Sequence, residues 1–475
     1  MAFVTNATLK PLPETQRMPD HAEKDDNHGR AVPHGRATRL FGLGSLVTGI
    51  AGNMLADGAR QIAQGQLPRF GELMLTPANA HRIADKLVHM RGAAMKVGQL
   101  LSMDAGDLLP PELGAILARL RADATPMPMS QVVSVLDANW GDNWRRHFQQ
   151  FSFKPVAAAS IGQVHFGVTA DGHRVAVKIQ YPGVRQSIDS DVDNVAMLCR
   201  MSGLIPKTVD FDPLFQQAKA QLREEADYLH EAASLRRFAL LLAESPEYAL
   251  PQVHDELTTA SVLTMTRMDG IPVESLVHAP QEERDRVVRL MITLFFREMF
   301  EFRLIQTDPN FANYRYERAQ DGRAGRLILL DFGATRAYST ETIAQYRQIL
   351  DGALTGDPAR IAPAAMALGY FDASTREQHR AAVIGMFIAA CEPLRCEGVY
   401  DFGTSDLGAR LRDAGMALGM EREFWHTPVA DVLLLHRKIA GLYLLAARLG
   451  ARVDNLASLL GRAYGEPCGK PVPSD

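Results

Sequence analysis

Gln306-Thr307-Asp308-Pro309-Asn310-Phe311-Ala312-Asn313 is followed, one loop later, by the apolar run Leu327 to Leu330 and then Asp331-Phe332-Gly333. This order is that of a phosphoryl-transfer site, which needs a carboxylate to orient the attacking group and metal-binding groups in two places. Asp308 and Asn313 have the separation of base and metal ligand in a catalytic loop, and Asp331 opens a metal-binding turn. The run Leu327 to Leu330 reads as the strand that delivers Asp331, and a long apolar helix, Val287 to Phe302, precedes the loop. A loop-forming Asp-Pro-Asn without chemistry is the bland alternative, and the ordered matches argue against it. A second copy, Asp401-Phe402-Gly403, has no apolar strand before it and is set aside.

The lysine such a site needs stands upstream in Val175-Ala176-Val177-Lys178. The turn at Asp171 and Gly172 makes this segment the second strand of a hairpin. Before it, where a kinase shows G-x-G-x-x-G-x-V, the chain has Ala157-Ala158-Ala159-Ser160-Ile161-Gly162-Gln163-Val164, so only the third glycine, Gly162, is kept. Alanine disfavours positive φ and sets a methyl where backbone would approach phosphate, so this loop should cradle a nucleotide differently or less closely. His165 beside it reads as a strand-end residue. The strand exit from Met265 to Met268 is placed against adenine. After Ile271 and Pro272 the pattern is almost wholly helical, Leu327 to Leu330 being the exception. The expected fold is α+β: a two-lobed protein-kinase-like fold with an N-terminal helical extension, mostly α-helical overall.

The 475 residues carry 51 basic and 55 acidic side chains, a balance of −4 that argues against nucleic acid as a partner. Cys199, Cys391, Cys396 and Cys468 lack metal-ligand spacing and read as thiols. Residues 1–36 are polar, with five acids, and read as disordered; they resemble neither a mitochondrial presequence nor a secretory signal, so a cytoplasmic bacterial protein is expected. Within 37–66, Leu40 to Leu55 is uncharged and apolar, with Gly44, Thr48 and Gly52 at four-residue spacing. It is shorter than the ~20 residues that cross a bilayer, and reads as a helix that packs on its own protein or dips into a membrane surface. The remaining boundaries are a helical extension at 67–130, an N-lobe with a helical insertion at 131–268, a helical C-lobe at 269–464 and a tail at 465–475.

These residues resemble the UbiB/ABC1/COQ8 (AarF/ADCK) family of atypical, kinase-like proteins. That family replaces the glycine-rich loop by an alanine-rich one like Ala157 to Ser160. It carries a Lys-x-Gly-Gln motif ahead of the kinase body, here Lys96-Val97-Gly98-Gln99, and a Glu-x-Asp pair, here Glu225-Ala226-Asp227, with Glu231 a turn further on. The long stretch between Lys178 and Glu231 is a family insertion too. The resemblance spans roughly Ala37 to Tyr464. One departure is Gln306, where the family has histidine.

The resemblance implies that Glu231 pairs with Lys178, that Glu225 and Asp227 contact Lys96 and Gln99, and that the Lys96 helices fold over the cleft against protein substrates. ATP and Mg2+ are the expected cofactors: Lys178 holds the phosphates, Asn313 and Asp331 the metal, Asp308 orients water or a small acceptor, and Ala157 to Ser160, Gly162, Val164, Met265 and Met268 line the nucleotide. The implied activity is an ATPase supporting ubiquinone biosynthesis. Implied partners are an anionic lipid surface on the inner face of the cytoplasmic membrane and quinone-biosynthesis enzymes, with a homodimer left open. Two rivals share every ATP-site residue: a true phosphotransferase on a protein or small-molecule acceptor, and a catalytically silent nucleotide-binding module.

Overall fold

Residues 96–97, 126–159, 161–201, 212–320, 322–420 and 430–463 are described by the computed structural model. The 1–36 segment, the 37–66 helix, most of the 67–130 extension, Gln99, Ser160, Cys468 and the 465–475 tail lie outside the described residues.

Helix α1 (Met129–Trp140) leads into an antiparallel sheet of β1 (Phe148–Phe151), β3 (Gly162–Thr169), β4 (Arg174–Gln180) and β6 (Val262–Thr266), in the order β1-β3-β4-β6. The alternation of β4 sorts its side chains. Val175, Val177 and Ile179 are fully buried on one face, in a cluster with Leu136 of α1, Trp144 and Phe151. Period two therefore turns Ala176, Lys178 and Gln180 to the opposite face. There Gln180 donates from Nε2 to the carbonyl of Ala226 at 2.9 Å. The alanine-rich segment is not simply a loop. Ala157–Ala158 form β2, paired with Val164 and Gln163 of β3, and Ala159 N–H donates to the Gly162 carbonyl at 2.9 Å.

The one glycine kept from the phosphate-loop pattern has a packing reason. A Cβ on Gly162 would sit 2.3 Å from the Ile179 carbonyl oxygen and 3.0 Å from its carbon, both backbone atoms of the neighbouring strand. Alanine would gain about 0.5–1 kcal/mol of strand preference, yet overpacking against backbone costs about 1–3 kcal/mol. Gly162→Ala is therefore expected to lower stability by about 1–2 kcal/mol, measured as the shift in urea midpoint at constant m-value; an unchanged midpoint would show that the hairpin can open there without cost. His165 lies inside β3, not at a strand end. It is fully buried, stacks on Phe151 and shares a hydrogen bond between Nδ1 and the Ser152 carbonyl, and burial lowers its pKa to about 4.

Between β4 and β6 lie α2 (Val184–Met201), α3 (Asp212–Glu225), α4 (Tyr228–Leu241) and β5 (Tyr248–Ala249). Asp227, two residues past the end of α3, caps α4, where its carboxylate accepts from the His230 N–H at 3.1 Å. The second lobe is built on α5 (Gln281–Phe296), which runs on as a π-turn over Arg297–Phe302 and stops at Arg303 in the left-handed region, φ 52°. Then come α6 (Thr340–Thr355), α7 (Pro358–Ala367), α8 (Glu377–Ala390), α9 (Glu392–Arg395), α10 (Leu407–Met420), α11 (Ala430–Leu449) and α12 (Ala457–Ala463).

This lobe holds more strand than its sequence pattern predicts. Besides β10 (Arg326–Leu329), which fits the expected run, there are β7 (Ile271–Pro272), β8 (Leu304–Gln306), β9 (Tyr314–Glu317), β11 (Thr335–Ala337), β12 (Val399–Asp401) and β13 (Arg452–Asp454). Strands of two to four residues are too short to show a period, so pairing partners rather than local pattern create them. The Asp401 copy accordingly stands at the end of a strand, β12. Its Gly403 N–H donates to Asp401 at 2.9 Å, much as Gly333 does to Asp331 at 3.0 Å, but the Asp401 carboxylate is taken by Arg452 at 2.9 Å.

Candidate active site

Four short strands bring the two loops of the opening stretch together. β8, just before the Asp308 loop, pairs antiparallel with β11, just after the Asp331 turn; β9, after that loop, pairs antiparallel with β10, before the turn. Both Thr307 N–H and Oγ1 donate to the Ala334 carbonyl, at 3.0 and 2.8 Å, and Leu330 N–H donates to the Asn313 carbonyl at 3.0 Å. Within the loop Asn313 Nδ2 donates to Asp308 Oδ2 at 2.9 Å, and Asn310 N–H donates to the other carboxylate oxygen at 3.3 Å.

Lys178 arrives from the cleft face of β4. Its ammonium donates to Glu231 of α4 at 2.6 Å and to Asp331 at 3.0 Å, and lies 5.7 Å from the centre of the buried Tyr228 ring. Lysine and glutamate are 7% and 2% exposed, so the pair is dry. Burial works against the charged ammonium, but Asp331 and Glu231 outweigh it and hold the lysine protonated. Two carboxylates share this one cation. Glu231 is pushed up to about 7, first by burial and then by the Asp331 charge; for Asp331 burial is outweighed by Lys178, and its carboxyl stays below the usual range.

Lys96 joins this group of charges. It is 4% exposed, and its ammonium is paired with Glu225 at the end of α3. Burial lowers its pKa, but Glu225 and then Asp308 raise it, so the net shift is upward. Asp308 is raised by burial above all; Lys96 pulls it down, and Glu225 and Asp331 push it up again. One cluster thus joins Lys96, Glu225, Asp308, Asp331, Lys178 and Glu231. Asp227 serves as the α4 cap, and its expected neighbour Gln99 lies outside the described residues.

Of the expected nucleotide-contacting positions, Ala157 and Ala158 are exposed, Ala159 and Val164 are half-buried and Gly162 is buried. Met265 is buried opposite Ala176 of β4, and Met268, beyond the end of β6, is half-buried.

Two features were not expected from sequence. Gln306 is buried; its Oε1 accepts from Tyr314 at 3.1 Å, and its carbonyl accepts from Lys438 of α11 at 2.6 Å. Lys438 also pairs with Glu298 in the π-turn at 2.5 Å, and the Gln306 N–H donates to that glutamate. A buried ion pair thus clamps both sides of the peptide leading into Asp308. The second is Arg336 of β11, whose guanidinium reaches two other elements. A Lys or Arg in a helical run gives no local sign of such a role.

The donor set suits a hard cation. Asp331 supplies a carboxylate, and Asn313, with its amide nitrogen turned to Asp308, offers its carbonyl oxygen; two oxygen ligands completed by phosphate oxygens are the usual way Mg2+ is held. Among the described residues no group of three or more His, Cys, Asp or Glu gathers into a separate metal cage.

Comparison with known proteins agrees with this architecture. A family model described as the ABC1 atypical kinase-like domain matches residues 119–365. The chain is 37% identical over 454 residues to the mitochondrial atypical kinase COQ8 of Saccharomyces cerevisiae, covering 95% of this chain and 89% of that one. It is 37% identical over 431 residues to the mitochondrial atypical kinase COQ8B of Rattus norvegicus, covering 90% and 80%. Among solved structures, the Rv3197–erythromycin complex from Mycobacterium tuberculosis superposes with a TM-score of 0.55 at 26% identity, covering 83% of this chain and 98% of that one. Fold and relatives together define an atypical, kinase-like protein. The chain belongs to the ABC1 family of atypical kinases, and COQ8 proteins are among its relatives.

Proposed function

We propose that the protein hydrolyses MgATP, and that this turnover supports ubiquinone biosynthesis at a membrane. The observation that carries the reading is the buried Lys96–Glu225 pair coupled electrostatically to Asp308 beside the assembled phosphoryl-transfer groups, whose acceptor side we take the Lys96 helices to cover, as the family resemblance implies. A covered acceptor side favours water over a protein hydroxyl.

Lys178, fixed by Glu231, presents a pre-oriented ammonium to the α- and β-phosphates. Asp308, held by Asn313 and raised by burial, is placed to orient the attacking water and accept its proton. Asp331 and Asn313 would hold Mg2+, which supplies charge neutralisation at the phosphates. Met265 and Met268 are assigned to adenine, and the β2–β3 turn to the phosphate side.

The quinone pathway is supported by the COQ8 names of the relatives and by the family resemblance. The membrane role rests on the 37–66 segment and on anionic lipid as partner, with the protein peripheral on the inner face of the cytoplasmic membrane. Among the described residues no helix is long and apolar enough to cross a membrane.

The test is release of inorganic phosphate from γ-labelled MgATP by the full chain, with and without vesicles containing anionic lipid. The expected result is free phosphate, increased by the vesicles. Label retained on a protein or small acceptor would replace hydrolysis by phosphotransfer, and nucleotide binding without release would identify a silent binding module.

A further inference from the structure

Arg336 stands on β11 directly after the Asp331 turn, and its planar fork joins that strand to two other elements. One terminal nitrogen donates to both carboxylate oxygens of Glu224, at 2.7 and 2.9 Å; the other donates to Asp431 at 2.8 Å, in the first turn of α11. Glu224 is next in sequence to Glu225, the residue that pairs with Lys96. The strand carrying Arg336 is hydrogen-bonded in register to the strand entering the Asp308 loop, with Arg336 opposite Ile305. An unbroken set of contacts therefore runs from the Asp331 turn through Arg336 to the end of α3 and on to the Lys96 ammonium.

We infer that Arg336 is a positioning residue, a latch that ties the end of α3, and through it the Lys96–Glu225 pair, to the Asp331 turn. The inference rests on the ATP-site reading for its nucleotide readout, though not for its structural one. Arg336 and Glu224 are 25% and 38% exposed at the side chain, so the pair is not a main support of the fold; exposed ion pairs contribute little stability. What the fork fixes is geometry, because the rigid guanidinium plane sets the directions of its two terminal nitrogens, one to Glu224 and one to Asp431, where a lysine ammonium has no such plane. Opening the contact frees the end of α3 to swing with Lys96 while the Lys178–Glu231 pair below stays in place. A bound nucleotide would then leave more readily.

The experiment compares full-length wild type with Arg336→Ala, Glu224→Gln, their double variant, Arg336→Lys and Asp431→Asn. The two readouts are release of a fluorescent N-methylanthraniloyl-ADP in stopped flow and hydrogen exchange of the backbone amides of 218–226. Release about fivefold faster or more, with faster exchange at the end of α3, is expected for Arg336→Ala and Glu224→Gln alike. The double variant should add nothing further, because both changes break one contact. Arg336→Lys should fall between. Asp431→Asn should leave both readouts near wild type. If instead Asp431→Asn reproduces Arg336→Ala and Glu224→Gln does not, Arg336 merely anchors β11 to α11 and the latch is refuted. Unchanged exchange at 218–226 in Glu224→Gln overturns it as well. Should wild type bind no nucleotide, the ATP reading fails on its own and hydrogen exchange alone decides the latch.

Discussion

Asp331→Asn is expected to slow phosphate release from MgATP about 10²- to 10³-fold, while the melting temperature stays close to that of wild type. The substitution is isosteric, and its amide oxygen can still accept the Gly333 N–H that shapes the turn. What it removes is the negative charge that a metal ion needs. In the folded apo site the loss of a carboxylate that Lys178 favours is offset by relief of its like-charge pressure on Glu231, and Lys178 keeps its 2.6 Å contact to Glu231. The sign of the pH effect follows. With its folded pKa raised to about 7, Glu231 binds a proton in the folded state that the unfolded chain has already lost, so stability declines as pH rises from the ordinary carboxylate range through 7. That decline should be shallower in Asp331→Asn, measured as melting temperature between pH 5 and 8. Full turnover in the variant would remove Asp331 from the metal site. Lost turnover with a large fall in melting temperature would mark the residue as structural instead.

The second large effect lies away from the nucleotide. Lys438→Met should destabilise the protein by about 3–5 kcal/mol, the cost of leaving one member of a buried ion pair unpaired. Glu298 is 1% exposed, and burial already raises its carboxyl; without Lys438 the opposing pull is gone. The Gln306 carbonyl loses its 2.6 Å donor at the same step. Adding Glu298→Leu should return most of the stability, since an apolar pair of similar volume replaces a buried ion pair at little net cost. Turnover should stay low in the double variant, because the peptide entering the Asp308 loop is no longer held from either side. Urea midpoints of the single and double variants test the first part and phosphate release the second. A loss below about 1 kcal/mol in Lys438→Met would mean that water compensates Glu298.

Chemistry that depends on spacing along the chain was legible from residues alone. Asp308 and Asn313 lie on one loop, so their separation fixes their relation, and the alternation of Val175, Val177 and Ile179 puts Lys178 on the opposite face of β4 whatever else packs around it. Lys96, Glu225 and Glu231 were reached, with their partners, through family motifs, and the structure forms the Lys178–Glu231 and Lys96–Glu225 pairs. Gly162 was legible as a kept glycine, but its reason, a carbonyl 2.3 Å from where a Cβ would be, belongs to the neighbouring strand.

Local patterning thus specified the two-lobed, kinase-like fold, the Asp308–Asn313 loop, the Asp331 turn and the lysine strand, because each is written within one period or one loop. Folding alone chose the contacts that lock these parts to one another. Lys438 meets Glu298 across 140 positions and Arg336 meets Glu224 across 112; Lys96 reaches Glu225 across 129. No periodicity spans such separations, and a charged residue on a helix looks the same in sequence whether it faces water or a buried carboxylate. Burial makes the difference, since a charge removed from water must find its partner wherever the chain's packing places one.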